Sequence, residues 1–85
     1  MHSSIEFTAS ALREFKAFER AVQRRIATRI GDLAKNPIPP GAKKLHGEPN
    51  YYRIRVGDYR VIYRIDADRV AIVVVKIGHR HEFYC

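Results

Sequence analysis

The stretch Tyr51–Ile77, YYRIRVGDYRVIYRIDADRVAIVVVKI, reads as a three-stranded antiparallel meander. Its runs are Tyr51–Val56, Tyr59–Ile65 and Val70–Ile77. Aromatic and β-branched residues fill them, and Gly57-Asp58 and Asp66–Arg69 stand where the chain should reverse. With a two-residue turn at Gly57-Asp58, Val56 faces Tyr59, Arg55 faces Arg60 and Arg53 faces Ile62. Alternation then gives Tyr52, Ile54, Val56, Tyr59, Val61, Tyr63 and Ile65 one face, the core face. Arg53, Arg55, Arg60 and Arg64 take the other.

Opposed guanidinium groups repel and destabilise a sheet. A solvated outer face, where screening weakens that repulsion, is one reading. Clustering of four arginines on a single face favours another, an anion-binding surface, because planar five-donor groups suit phosphate oxygens. The last run is apolar on both parities. Val70, Ile72 and Val74 continue the core face, while Ala71, Val73, Val75 and Ile77 fall on the arginine side. An apolar patch at Val73 and Val75 beside basic surface predicts a docking protein as well as a polyanion.

Upstream, Ser4–Thr8 reads as a short strand, and Thr8 or Ser10 can cap a helix from about Ala9. Leu12, Phe15, Phe18, Val22, Ile26, Ile30 and Leu33 recur at helical spacing, with Arg13, Glu14, Lys16, Arg20, Arg24, Arg25 and Arg29 on the far side. No Gly or Pro interrupts Phe18–Ala21. The pattern therefore permits one helix to Lys35, about 39 Å long, or a hairpin broken near Glu19-Arg20. Asn36-Pro37 ends the helix. A loop of about a dozen residues follows, long for a compact domain. It carries Lys43, Lys44 and His46, with Leu45 as an expected core anchor. The first strand is expected beside an outer strand of the meander, in a mixed sheet of four strands with its helices on one face.

Eighty-five residues make one domain, 1–85, near the lower end of the size that folds without staples. A single cysteine, Cys85, allows no internal disulfide and reads as an incidental tail residue in a reducing, cytoplasmic setting. MHSSIEF does not look like a signal peptide, and no stretch approaches a membrane span. The net charge of +7 favours nucleic acid or an acidic protein as partner. The terminal GHRHEFYC is dense in groups that donate, accept or exchange protons: His79, Arg80, His81 and Tyr84. It lacks the ligand spacing of a metal site, and the chain has no phosphate-binding glycine loop or triad signature.

Taken in order, FTASALREF, VQRRIATRI, KKLHGEPNYYRIRVGDYRVIYRID and AIVVVKIGHRHEFY resemble the RelE/ParE superfamily of type II toxins, with the RelE branch most similar. The resemblance runs from about Ile5 to Tyr84. Its most specific parts are Lys44–Gly47, the Tyr52–Tyr63 block and the terminal Gly-His-Arg with its tyrosine. It implies an α+β fold, with an N-terminal α-hairpin packed on a small, mainly antiparallel sheet. It also implies a small acidic antitoxin from a neighbouring gene. For the RelE branch it implies cleavage of mRNA in the ribosomal A site without metal or other cofactor. For the ParE branch it implies inhibition of DNA gyrase, and an inactive antitoxin- or nucleic-acid-binding protein is a third possibility.

Carried over residue by residue, the family site falls on Arg53 and Arg55, where the branch usually has lysines, and on Arg60, Arg80, Tyr84 and His46. Arg60, Arg80, His81 and Tyr84 are therefore the candidate catalytic residues, and Lys43, Lys44, His46, Arg53, Arg55 and Arg64 the candidate RNA contacts. Cleavage needs the 2′-OH deprotonated and in line, charge relief on the phosphate, and a proton for the leaving oxygen. Arginines relieve charge but are poor proton shuttles. This leaves His81 as the favoured base, Tyr84 for the leaving group or nucleophile, and His46 and His79 in reserve.

Overall fold

The structure is a computed structural model and describes residues 3–79. Its centre is the hairpin of β3 (Tyr51–Val56) and β4 (Tyr59–Asp66). Gly57 has φ +62° and Asp58 has no positive φ, so glycine opens the two-residue turn that the strand twist requires. Val56 pairs with Tyr59, Arg55 with Arg60 and Arg53 with Ile62, the register expected from alternation. β5 (Ala71–His79) pairs antiparallel with β4, and β1 (Ser4–Phe7) lies parallel along its other side. A fifth strand, β2 (Lys43–Lys44), comes from the loop and extends the sheet beyond β3. The order is β1-β5-β4-β3-β2.

Alternation fails in β5. A bulge in β5, opposite Ile62 and Tyr63 of β4, leaves Val75 without a register partner, so Tyr63 pairs with Val74 but Ile62 pairs with Lys76. Beyond it the parity reverses. Ile77, expected on the arginine side, pairs with Val61 and joins the buried core, while Lys76 takes the outer face beside Ile62. The outer face differs from expectation elsewhere too. Val73 is only 5% exposed, between register partners Glu6 and Arg64, so no open patch spans Val73 and Val75. Val70 is a turn residue with φ +50° and an exposed side chain, outside the strand and the core.

Two helices cover the other face. Thr8 caps α1 (Ala9–Ala17), its Oγ1 accepting from the Ala11 N–H at 3.2 Å, while its own N–H donates to the Val74 carbonyl at 3.0 Å. Phe18 and Glu19 are extended, and α2 (Arg20–Leu33) follows, so the chain takes the hairpin rather than one long helix. No breaker residue makes this turn. Gln23 Nε2 donates to the Phe18 carbonyl at 2.8 Å and the Lys16 carbonyl at 3.3 Å, occupying acceptors that the end of α1 leaves open. Phe18 meets the Tyr59 ring edge-on at 5.0 Å.

Ala11, Ile26, Ile30 and Leu33 form the core with Ile54, Val56, Val61, Tyr63, Ile72, Val74 and Ile77. Leu12 is exposed, and Ala11 fills the buried position of α1 in its place. Leu45 is half-buried; the loop residue packed on the core is Ala42. Tyr63 fastens the loop from inside, donating its hydroxyl to the Pro37 carbonyl at 2.6 Å. Burial, with a smaller effect from Tyr52, pushes that hydroxyl up to about 12. Among the described residues, no helix is long and apolar enough to cross a membrane.

Candidate nucleic-acid interface

The outer face can be read as rows across the strands, because register partners share a face. One row runs Lys43, Arg53, Ile62, Lys76. The next, nearer the β3–β4 turn, runs Arg55, Arg60, Gly78. On the other side of the first row lie Tyr51, Arg64, Val73 and Glu6, and then Asp66, Ala71 and Ser4. Among the described residues of these rows, cations therefore crowd the turn end, and the carboxylates of Asp66 and Glu6 stand at the far end.

The four arginines are not equivalent. Arg60 is 5% exposed, contrary to its expected place in a solvent-facing cluster. It stands on the central strand between Arg55 and Gly78, and Gly78 adds no side chain to the row. Opposed Cβ atoms in such a ladder lie about 4.5–5.5 Å apart, so Arg55 and Arg60 leave the sheet as direct neighbours. Arg55 is exposed and Arg53 half-buried. The Arg53 Nε is buried without a hydrogen-bond partner, an arrangement that costs about 1–3 kcal/mol unless an acceptor arrives. Arg64 is 3.6 Å from the Asp66 carboxylate. Arg69 joins the same group, at 3.0 Å from Asp66 and 2.6 Å from Glu6. The Arg69 backbone N–H, then the Arg69 and Arg64 guanidiniums, hold the Asp66 carboxyl below the usual carboxylate range against desolvation.

The remaining predicted residues divide. Lys43 shares the face of Arg53, but Lys44 pairs with Tyr52 and takes the opposite one. His46 is exposed on an open groove shared with Lys44 and Glu48, outside the arginine rows. His79 pairs with Tyr59 and meets its ring edge-on at 5.4 Å, on the helix-covered face. That position separates His79 from the arginines and removes it as a reserve for proton transfer there. Arg80, His81, Tyr84 and Cys85 lie outside the described residues. Among the described residues, no three His, Cys, Asp or Glu side chains gather as a metal site.

Sequence reasoning missed Lys76. Strict alternation gives it core parity, an unfavourable place for an ammonium group. That conflict was the available sign that the register slips before residue 76.

Residues 5–84 match the family of the ParE toxin of the type II toxin-antitoxin system parDE. The chain belongs to the RelE/ParE toxin superfamily. Within it, the RelE branch is the nearer one. Toxin RelG of Mycobacterium tuberculosis is 28% identical, with 99% of this chain and 98% of the relative aligned. The mRNA interferase toxin RelE of Escherichia coli K12 is 26% identical, over 89% of this chain and 81% of the relative. The toxin-antitoxin complex RelBE2 from M. tuberculosis contains a chain that superposes with a TM-score of 0.82 at 27% identity, covering 94% of this chain and 100% of that one. The RelE-like fold thus places β3, β4 and β5 at the centre of a sheet backed by the helical hairpin.

Proposed function

We propose that this RelE-family toxin is an endoribonuclease that cuts mRNA in the ribosomal A site, as one toxin domain spanning 1–85. The observation carrying the reading is the pair of basic rows on the outer sheet face, Lys43-Arg53-Ile62-Lys76 and Arg55-Arg60-Gly78. Similarity to an mRNA interferase toxin supplies the substrate class. Arg60 is the central cation. Its near-complete burial lowers the local dielectric, which strengthens its attraction for charge developing on a phosphate. Arg53 and Arg55 hold the flanking backbone, with Lys43 at the β2 edge.

Gly78 stands beside Arg60 in the second row, two residues before Arg80 in the sequence. In this reading Arg80 adds charge relief, His81 takes the 2′-OH proton, and Tyr84 assists the leaving oxygen or positions the nucleophile. RelE-family complexes with antitoxins support a cognate antitoxin as partner here as well.

Single-turnover cleavage on programmed ribosomes from about pH 5 to 9 tests the assignment around the ordinary histidine pKa. The wild-type protein should show an acidic limb that disappears in His81→Gln, and Tyr84→Phe should cut slowly while still binding ribosomes. An intact limb and unchanged maximal rate in His81→Gln would remove histidine from the chemistry. The ParE match supports one other reading, inhibition of DNA gyrase. Loss of supercoiling activity, with mRNA left uncut, would select it.

A further inference from the structure

We infer that Lys76, steered by Glu14, is an additional contact to the backbone phosphate of the substrate RNA. It lies outside the set of residues that the family resemblance implies. The inference rests on the endoribonuclease reading for the identity of the polyanion. The bulge at Val75 turns Lys76 onto the outer face, in the row of Lys43, Arg53 and Ile62. Its side chain is 40% exposed, so the ammonium is reachable. Ile62 is a half-buried apolar shelf between Arg53 and Lys76, flanked by cations as a nucleotide would need: apolar contact for the sugar or base, charge for the phosphates at either side. Arg53 brings its buried Nε donor to the same row.

Glu14 sets where Lys76 stands. β1 stops pairing at Val74, and among the described residues no strand continues along that edge of β5. Glu14, on α1, fills that gap: one carboxylate oxygen accepts from the Ile77 N–H at 3.0 Å and the other lies 3.3 Å from Lys76 Nζ. The same carboxylate thus anchors the strand beyond its bulge and holds the lysine at the rim of the basic face. A phosphate approaching along Ile62 competes with Glu14 for the ammonium.

The test compares wild type, Lys76→Gln, Lys76→Arg and Glu14→Gln in single-turnover cleavage on programmed ribosomes over a potassium chloride series. Pelleting with empty ribosomes and thermal melts run in parallel. Lys76→Gln should raise the half-saturating ribosome concentration about threefold to tenfold at low salt, and flatten the log-log salt dependence by about 0.7, the value for one contact to a single strand. Lys76→Arg should restore both. Glu14→Gln keeps an acceptor for the Ile77 N–H while removing the competing charge, so its half-saturation should stay equal or improve. A purely structural role instead lowers the melting temperature in Glu14→Gln and Lys76→Gln alike and leaves the salt slope untouched, which would overturn the inference. Equal weakening on empty ribosomes would also overturn it, because the contact would then be to ribosomal rather than substrate RNA. Wild-type protein that binds programmed ribosomes without cutting would overturn the endoribonuclease reading itself, a result distinct from an active Lys76→Gln with an unchanged slope.

Discussion

The two ends of the outer sheet face use arginine in opposite ways. At the far end Arg64 and Arg69 are matched by Asp66 and Glu6, and the ion pairs tie the β4–β5 turn to β1. At the turn end Arg55 opposes Arg60 across the ladder, and the nearest strand residue on β5 is Gly78. The backbone is continuous, so the contrast lies in which residues the register sets beside each arginine. Where carboxylates are present, arginine contributes to holding the sheet together. At the turn end the described rows bring Arg55, Arg60, Arg53 and Lys43 together, a concentration of positive charge that suits a polyanion.

The largest expected effect separates these ends by activity. Arg60→Met keeps much of the buried aliphatic volume and should lower single-turnover cleavage by about 10²–10³-fold, the loss typical of one preorganised donor. Arg64→Met should change it by less than about threefold, since its charge is already partnered near the surface. Equal losses from both would dissolve the distinction.

A second effect concerns what pins the sheet from beneath. Tyr63→Phe removes the hydroxyl that holds the Pro37 carbonyl. Urea unfolding should show a loss of about 0.5–1.5 kcal/mol. The alkaline dependence follows from the raised folded pKa: this contribution is complete below about pH 10 and is lost as pH rises through the folded value near 12. Tyr63→Phe should flatten the unfolding midpoint across that interval.

The acid side tests the neutralised end. The Asp66 carboxyl titrates below its ordinary value in the folded chain. Its contribution is therefore complete above about pH 4 and is lost as pH falls through the lower folded value. Asp66→Asn should lessen the acid dependence of stability measured by circular dichroism, with no matching change in Arg55→Gln. An unaltered acid limb in Asp66→Asn would show that these ion pairs do not strengthen the fold.

The smallest effect has the most informative sign. Arg55→Gln relieves the repulsion with Arg60, so the free protein should gain about 0.2–1 kcal/mol in urea unfolding while binding programmed ribosomes less tightly. A variant that loses stability would show that the pair is held together by contacts rather than strained by charge.

Much of this contrast was legible in the chain. Alternation along Tyr52–Ile65 and a glycine at the turn determined the β3–β4 register, hence the shared face of Arg53, Arg55, Arg60 and Arg64. Local rules suffice there because a two-residue turn leaves no freedom to slip. The helical spacing of Ile26, Ile30 and Leu33 likewise determined the buried side of α2.

Other features depended on partners distant in sequence. The break between α1 and α2 needed Gln23 to satisfy carbonyls of the preceding helix, and no local breaker announced it. The bulge that sends Ile77 inward and Lys76 outward arises where β5 is fitted between β4 and β1. Burial of Arg60 followed from its place on a central strand, which a charge count cannot register. The sequence by itself determined which residues alternate, because that is set by the geometry of one strand. Only the tertiary structure decided which of them are covered, paired or displaced, because those properties belong to the neighbours that folding brings alongside.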